Sequence, residues 1–351
     1  MTEQEGREEE TYRRFRAGAR KPVRLSPETL VRTRPLREGA TAPPLVVEPN
    51  AEHVVLEEWA RDRREWLEGE LCRHGALLFR GFGVADVARF EQVARAVSGE
   101  LIEYGERSSP RSRLRAGVYT STDHPADQPI LLHNEQSYTL DWPMKLWFCC
   151  LRPAARGGRT PLADSRRVLA RVPPRTAEAF ASRQVTYVRN YNGGLGLTWQ
   201  ETFQTDERAA VEAHCRAAAI EFEWRGGDRL RTRQVRPAIR THPRTGEQVW
   251  FNHALFFHVS SLGESERRSM LALVGEEELP YNTYYGDGSP IEPGVLAELR
   301  RAYDQEAVAF DWQAGDVLLV DNMLTSHGRE PFEGGRSVVV AMSEPSGTPR
   351  S

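Results

Sequence analysis

Cysteine and lysine are the scarce residues in this chain of 351. The four cysteines, Cys72, Cys149, Cys150 and Cys215, form no CxxC pair, and two of them are adjacent. That spacing offers neither a disulfide framework nor a zinc knuckle, and it predicts a reduced chain. Lys21 and Lys145 are the only lysines among 47 basic residues, and the arginines are scattered among 50 acidic ones for a net charge of −3. Such a balance gives no footprint for a nucleic-acid backbone. No stretch approaches the roughly 18 apolar residues of a membrane span. The acidic opening MTEQEGREEE lacks the apolar core of a signal peptide, so a cytoplasmic protein is expected. HExxH and GxSxG are missing, which leaves zinc protease and serine hydrolase chemistry without an anchor. The Gly-rich YNGGLG and YGDGSP do not lead from a strand into a helix, so they read as turns rather than phosphate loops.

What is present is a globular composition with 39% hydrophobic residues, enough for a sizeable core. Residues 1–50 are charged and proline-containing and read as an arm; 51–345 read as a single domain with a helical insertion around 196–310. Residues 56–74 predict a helix stopped by Gly75, and 76–82 a strand. Residues 86–99 predict a helix with Val87, Phe90, Ala94 and Val97 on one face. Beyond Tyr119 come short apolar runs, among them ILLHN, MKLWFCCL, VTYVRNY, QVWFN, DVLLVDN and RSVVVAM, with helical patterns at 208–220 and 293–307. The expected fold is mainly β with flanking helices (α+β), a sandwich or jelly-roll barrel.

The apolar run ILLHNEQSY places His133 and Glu135 two positions apart. In an extended chain such positions share a face, about 6–7 Å apart. A buried, unpaired carboxylate is costly, and a divalent ion held by both side chains would remove that cost. A strand end with a solvated Glu is the competing reading. Further on, DNMLTSHGREPFEGGRSVVVAM brings His327 after a strand and turn. Arg336 then opens a strand whose alternation puts it on one face with Val338, Val340 and Met342. Both faces are apolar, so the strand is expected to be covered on both sides, and a buried guanidinium needs an anion. That anion is a carboxylate of the protein or one of a ligand. Two His and a carboxylate compose the facial triad of non-haem Fe(II) oxygenases. Thr160, after the Gly157–Gly158 turn, could hydrogen-bond the same carboxylate as Arg336.

The ordered motifs GALLFRGF, LLHNEQSY, GGRTPLADS, RTHPRTGEQVWFN and DNMLTSHGREPFEGGRSVVVAM cover most of residues 75–342. In them the chain resembles the taurine catabolism dioxygenase (TauD/TfdA) family, and within it the syringomycin-biosynthesis type of amino-acid hydroxylase. The resemblance implies a double-stranded β-helix (jelly roll) core. It also implies Fe(II) on His133, Glu135 and His327, 2-oxoglutarate on Arg336 and Thr160, and O₂ as co-substrate. Glu135 departs from the family's usual His-x-Asp pair; Gly or Ala there would admit a halide, so Glu135 speaks against halogenation. The implied reaction is hydroxylation of an aliphatic carbon of an amino acid, free or on a carrier protein, in specialised metabolism. Desaturation, cyclisation or sulfonate cleavage would use the same cofactors, and a jelly-roll binding protein is the non-enzyme alternative. By position Tyr104 and Arg107 are expected at the substrate, with Asn252 beside His253, and Trp199 in a lid over residues 189–200. Arg107, Arg111, Arg113 and Arg115 read either as a solvated loop or as a docking edge for an acidic carrier protein. A homo-oligomer stays open.

Overall fold

The computed structural model describes residues 30–37, 39, 42–103, 105–109, 111–121, 124–192 and 194–347. Tyr104 and most of the expected arm lie outside them. The main sheet has eight strands in the order Val31–Pro35, Leu45–Pro49, Ala76–Phe79, Val317–Asp321, Pro143–Arg152, Ser337–Pro345, Val118–Thr120 and Arg113–Arg115. A second sheet orders Val308–Phe310, Thr160–Asp164, Thr325–Arg329 and Ile130–His133.

Period-two alternation decides how these sheets pack. Leu146 and Cys150 join Val338, Val340 and Met342 in a buried cluster with Leu162 and Phe310 of the second sheet. The intervening Trp147, Cys149, Val339 and Ala341 face the opposite way, against the helices Leu56–Arg61, Arg64–His74 and Val87–Ser98. The strand Ser337–Pro345 is therefore covered on both faces, as its sequence demanded. The facing sheets form the jelly-roll core. Outside the second sheet, Ala163 packs with Val168, Phe180 and Leu299 of further helices.

Several boundaries follow local chemistry. Asp86 caps the Val87–Ser98 helix by accepting from the Arg89 amide. The Arg64–His74 helix ends at Gly75 in the left-handed region, where a Cβ would collide with the Thr325 hydroxyl. The stretch expected as one helix over 56–74 is two, interrupted at Asp62 and Arg63.

The segment 196–310 is not solely helical. Its strands Glu221–Arg225, Arg229–Arg236 and Tyr281–Tyr285 join Val185–Tyr191 in a third sheet. In RLRTRQVR the buried residues are Leu230, Thr232, Gln234 and Arg236. The alternation is present, but polar side chains occupy most of the inward positions, so hydrophobicity does not display it. Among the described residues no helix is long and apolar enough to cross a membrane.

Candidate active site

His133 ends the strand Ile130–His133 and pairs in register with His327 in the antiparallel strand Thr325–Arg329. Their rings lie 4.5 Å apart. Glu135 is not in an extended chain, as the i, i+2 argument required, but in a turn. Asn322 makes that turn: its side chain accepts from the Glu135 amide and donates to the Glu135 and Pro143 carbonyls, each at 2.8 Å. Asn134 donates back to the Asn322 carbonyl at 2.7 Å. Asn322 is itself placed by Asp321, whose carboxylate accepts from the Met323 and Leu324 amides and meets His242 Nε2 at 3.0 Å. His242 is buried and braces this connection.

One potential ligand atom each from His133, Glu135 and His327 lies within 4.8 Å of the other two, and all three residues are buried. Burial holds both imidazoles below their usual range, more strongly for His327, which favours the neutral ligating form. His133 Nδ1 is bonded to the Leu131 carbonyl at 2.8 Å, which leaves Nε2 with its lone pair. His327 Nδ1 is buried without a hydrogen-bond partner. Two neutral imidazoles and one carboxylate, with an orphaned ring nitrogen, fit a divalent iron. Phe256 stacks on His133 at 4.4 Å and Phe148 approaches His327 at 5.1 Å, so the donors sit in apolar walls.

A cavity of about 680 Å³ contains all three, with Thr160 and Arg336 in its wall. Arg336 immediately precedes its strand, and its Nε donates to the Gly158 carbonyl at 3.3 Å. No carboxylate of the described residues forms an ion pair with it. Burial, reinforced by the Arg329 charge, pushes its guanidinium down to about 10. At neutral pH it is therefore a cation in the cavity wall, and no carboxylate of the described residues, Glu135 of the same cavity included, pairs with it. The Gly157–Gly158 turn is required: both have positive φ, and a Cβ at Gly158 would stand 3.2 Å from Arg336 Cδ. Thr160 Oγ1 accepts from the Trp312 indole at 2.9 Å, so its own O–H can donate elsewhere.

The expected substrate residues fare differently. Asn252 is buried and occupied by the backbone, donating to the Ala238 carbonyl and accepting from the Ala254 amide. It does not line the cavity, and neither does Arg107. Trp199 is no lid: it is 3% exposed, donates to the Asp228 carbonyl, and packs with Tyr191, Val211 and Leu230 in a separate cluster. Arg111 is not on a docking edge but buried in the cavity against Glu135. Arg113 and Arg115 are exposed and paired with Glu103 and Glu91. Local sequence pattern placed neither Arg111 nor Arg329 at the cavity, nor Trp312 on Thr160. Arg329 lines the cavity and holds the loop above it through the carbonyls of His124, Pro125 and Gln128.

Whole-chain comparisons identify the family. Residues 33–342 match the family model described as taurine catabolism dioxygenase TauD, TfdA family. The dapdiamide synthesis protein DdaC of Enterobacter agglomerans is 38% identical over 89% of this chain and 94% of its own. A clavaminate synthase-like protein of Arabidopsis thaliana is 28% identical over 80% of this chain and 85% of its own. Among solved structures, PvcB of Pseudomonas aeruginosa superimposes with a TM-score of 0.55 at 20% identity, covering 93% of this chain and 95% of that one.

Proposed function

We propose a reaction and its residues from the premise that this chain belongs to the TauD/TfdA family and is an Fe(II)- and 2-oxoglutarate-dependent dioxygenase. His133, Glu135 and His327 would hold the iron. Arg336 and Thr160 take the distal carboxylate of 2-oxoglutarate. The observation that carries this assignment is Arg336: a cation in the cavity wall with no ion-pair partner among the described residues, in the same cavity as the triad. The distal carboxylate of 2-oxoglutarate would supply the missing charge.

When bound, iron and 2-oxoglutarate couple O₂ to oxidative decarboxylation, giving succinate and CO₂, and to hydroxylation of an unactivated carbon. The chain's own part is placement. Asn322 and the Leu131 carbonyl fix the first two ligands, and the Trp312 indole turns the Thr160 hydroxyl toward the carboxylate. Phe148 and Phe256 keep the histidines in apolar surroundings. The protein supplies position and a dry cavity, while the cofactors carry the difficult chemistry.

The substrate is an amino acid or a close derivative, free or carried on an acidic carrier protein, hydroxylated at an aliphatic carbon in specialised metabolism. Similarity to a dapdiamide synthesis protein supports this class. So does the cavity: about 680 Å³ falls within the roughly 300–1,000 Å³ typical of small-molecule pockets. A panel of free and carrier-loaded amino acids, incubated with iron, 2-oxoglutarate and O₂, tests the proposal by mass spectrometry. Substrate-dependent succinate with a product 16 mass units heavier is expected. Succinate formation that no member of the panel stimulates would overturn the substrate class.

A further inference from the structure

Arg111 enters the cavity from the irregular segment before the Arg113–Arg115 strand, and its Nη2 donates to Glu135 Oε2 at 2.6 Å. Both side chains are buried, at 7% and 3% exposure. Asn322 fixes only the main chain of Glu135. Glu carries one more methylene than Asp, hence one more torsion between that main chain and the carboxylate. Something must fix it if the oxygens are to stay near both imidazoles. A guanidinium is always charged, forms short charge-assisted bonds to carboxylates, and has a rigid fork of donors.

We infer that Arg111 is a positioning residue for the metal ligand Glu135. It holds Oε2, so that the Glu135 carboxylate would stay within reach of a divalent ion bound with His133 and His327. This inference rests on reading His133, Glu135 and His327 as the iron ligands. Two effects of Arg111 on the metal oppose each other. Its charge repels a cation, so its removal would tighten binding; its hydrogen bond orders the ligand, so its removal would weaken binding. Outer partners of metal ligands typically contribute about 10–100-fold in affinity through orientation, and the 2.6 Å bond in a buried setting places Arg111 in that class.

The test is Co(II) titration of the metal-free protein, followed by calorimetry and by the visible spectrum of the bound ion, with no turnover involved. Arg111→Gln should weaken Co(II) binding about 10–100-fold and alter the spectrum as Glu135 changes its mode of ligation. Arg111→Lys, which keeps the charge but has a single donor group, should recover part of the loss. In a Glu135→Asp background the shorter arm cannot reach Arg111, so Arg111→Gln should cost less there. Unchanged or tighter Co(II) binding by Arg111→Gln, with an unchanged spectrum, would overturn the inference. Should Arg111→Gln fail to fold, Arg111→Lys decides by the same titration, since it preserves the buried charge balance. His327→Ala separates the two levels. If it leaves Co(II) affinity intact, the ligand reading itself fails; if it abolishes binding while Arg111→Gln does not weaken it, only the role of Arg111 fails.

Discussion

His133 and His327 occupy directly opposed positions on neighbouring antiparallel strands, their rings 4.5 Å apart, although 194 residues separate them in the chain (327 − 133). One ladder register thus sets the spacing of two donors. A slip of one residue would turn one imidazole to the other face of the sheet.

His327→Ala should therefore abolish iron binding rather than merely weaken it. It removes a donor outright, where loss of an outer partner costs roughly 10–100-fold. Titration of the metal-free protein with Fe(II) under argon measures this, and retained affinity and turnover would show that His327 is a core residue only.

Arg336→Gln should raise the 2-oxoglutarate requirement. Losing one partner of a buried charge pair costs roughly 2–5 kcal/mol, a factor of tens to thousands. Thr160→Val should act in the same direction more weakly, at about 1–3 kcal/mol. Calorimetric titration of 2-oxoglutarate into the Mn(II)-loaded protein separates binding from chemistry. An unchanged dissociation constant for Arg336→Gln would make the guanidinium structural.

Trp199→Ala should destabilise the fold by about 3–5 kcal/mol, as expected for truncating a buried Trp. Cosubstrate binding by the folded fraction should be unchanged, because Trp199 packs away from the cavity. Thermal melts and the same Mn(II) calorimetry check the two halves. Weaker 2-oxoglutarate binding without loss of stability would restore Trp199 to a lid.

Acid should weaken the fold through His258. Burial lowers its imidazole from 6.5 to about 4, and in the neutral form its Nδ1 accepts from the Ser260 amide at 3.1 Å. Between those two values the unfolded chain takes up a proton that the folded chain refuses. Stability is thus full above 6.5 and falls as the pH drops toward 4. His258→Gln should lose less melting temperature between pH 7 and pH 5 than the parent. An equal loss would place the acid sensitivity in other groups.

The sequence by itself marked candidate residues that lie on strands or beside glycine turns. His133, His327 and Arg336 sit where period-two apolar runs break, and Gly157–Gly158 marks the turn that seats Arg336. Alternation in RSVVVAM foretold a strand covered on both faces, and the structure packs Val338 and Val340 to one side, Val339 and Ala341 to the other. The motifs from GALLFRGF onward sufficed for the family and its jelly-roll core.

Tertiary structure alone decided which distant groups meet. Arg111 reads in sequence as one arginine of a charged run, and only folding takes it out of water and onto Glu135. Trp312 gives no local sign that it will reach Thr160 across the paired strands Val308–Phe310 and Thr160–Asp164. Trp199 and Asn252 were drawn toward the cavity by proximity to suggestive motifs, but the backbone turns them into packing and loop bonding. Local pattern reports which face a side chain takes within its own element. Which element lies opposite that face is settled by long-range sheet pairing, and that pairing gave this site its outer residues.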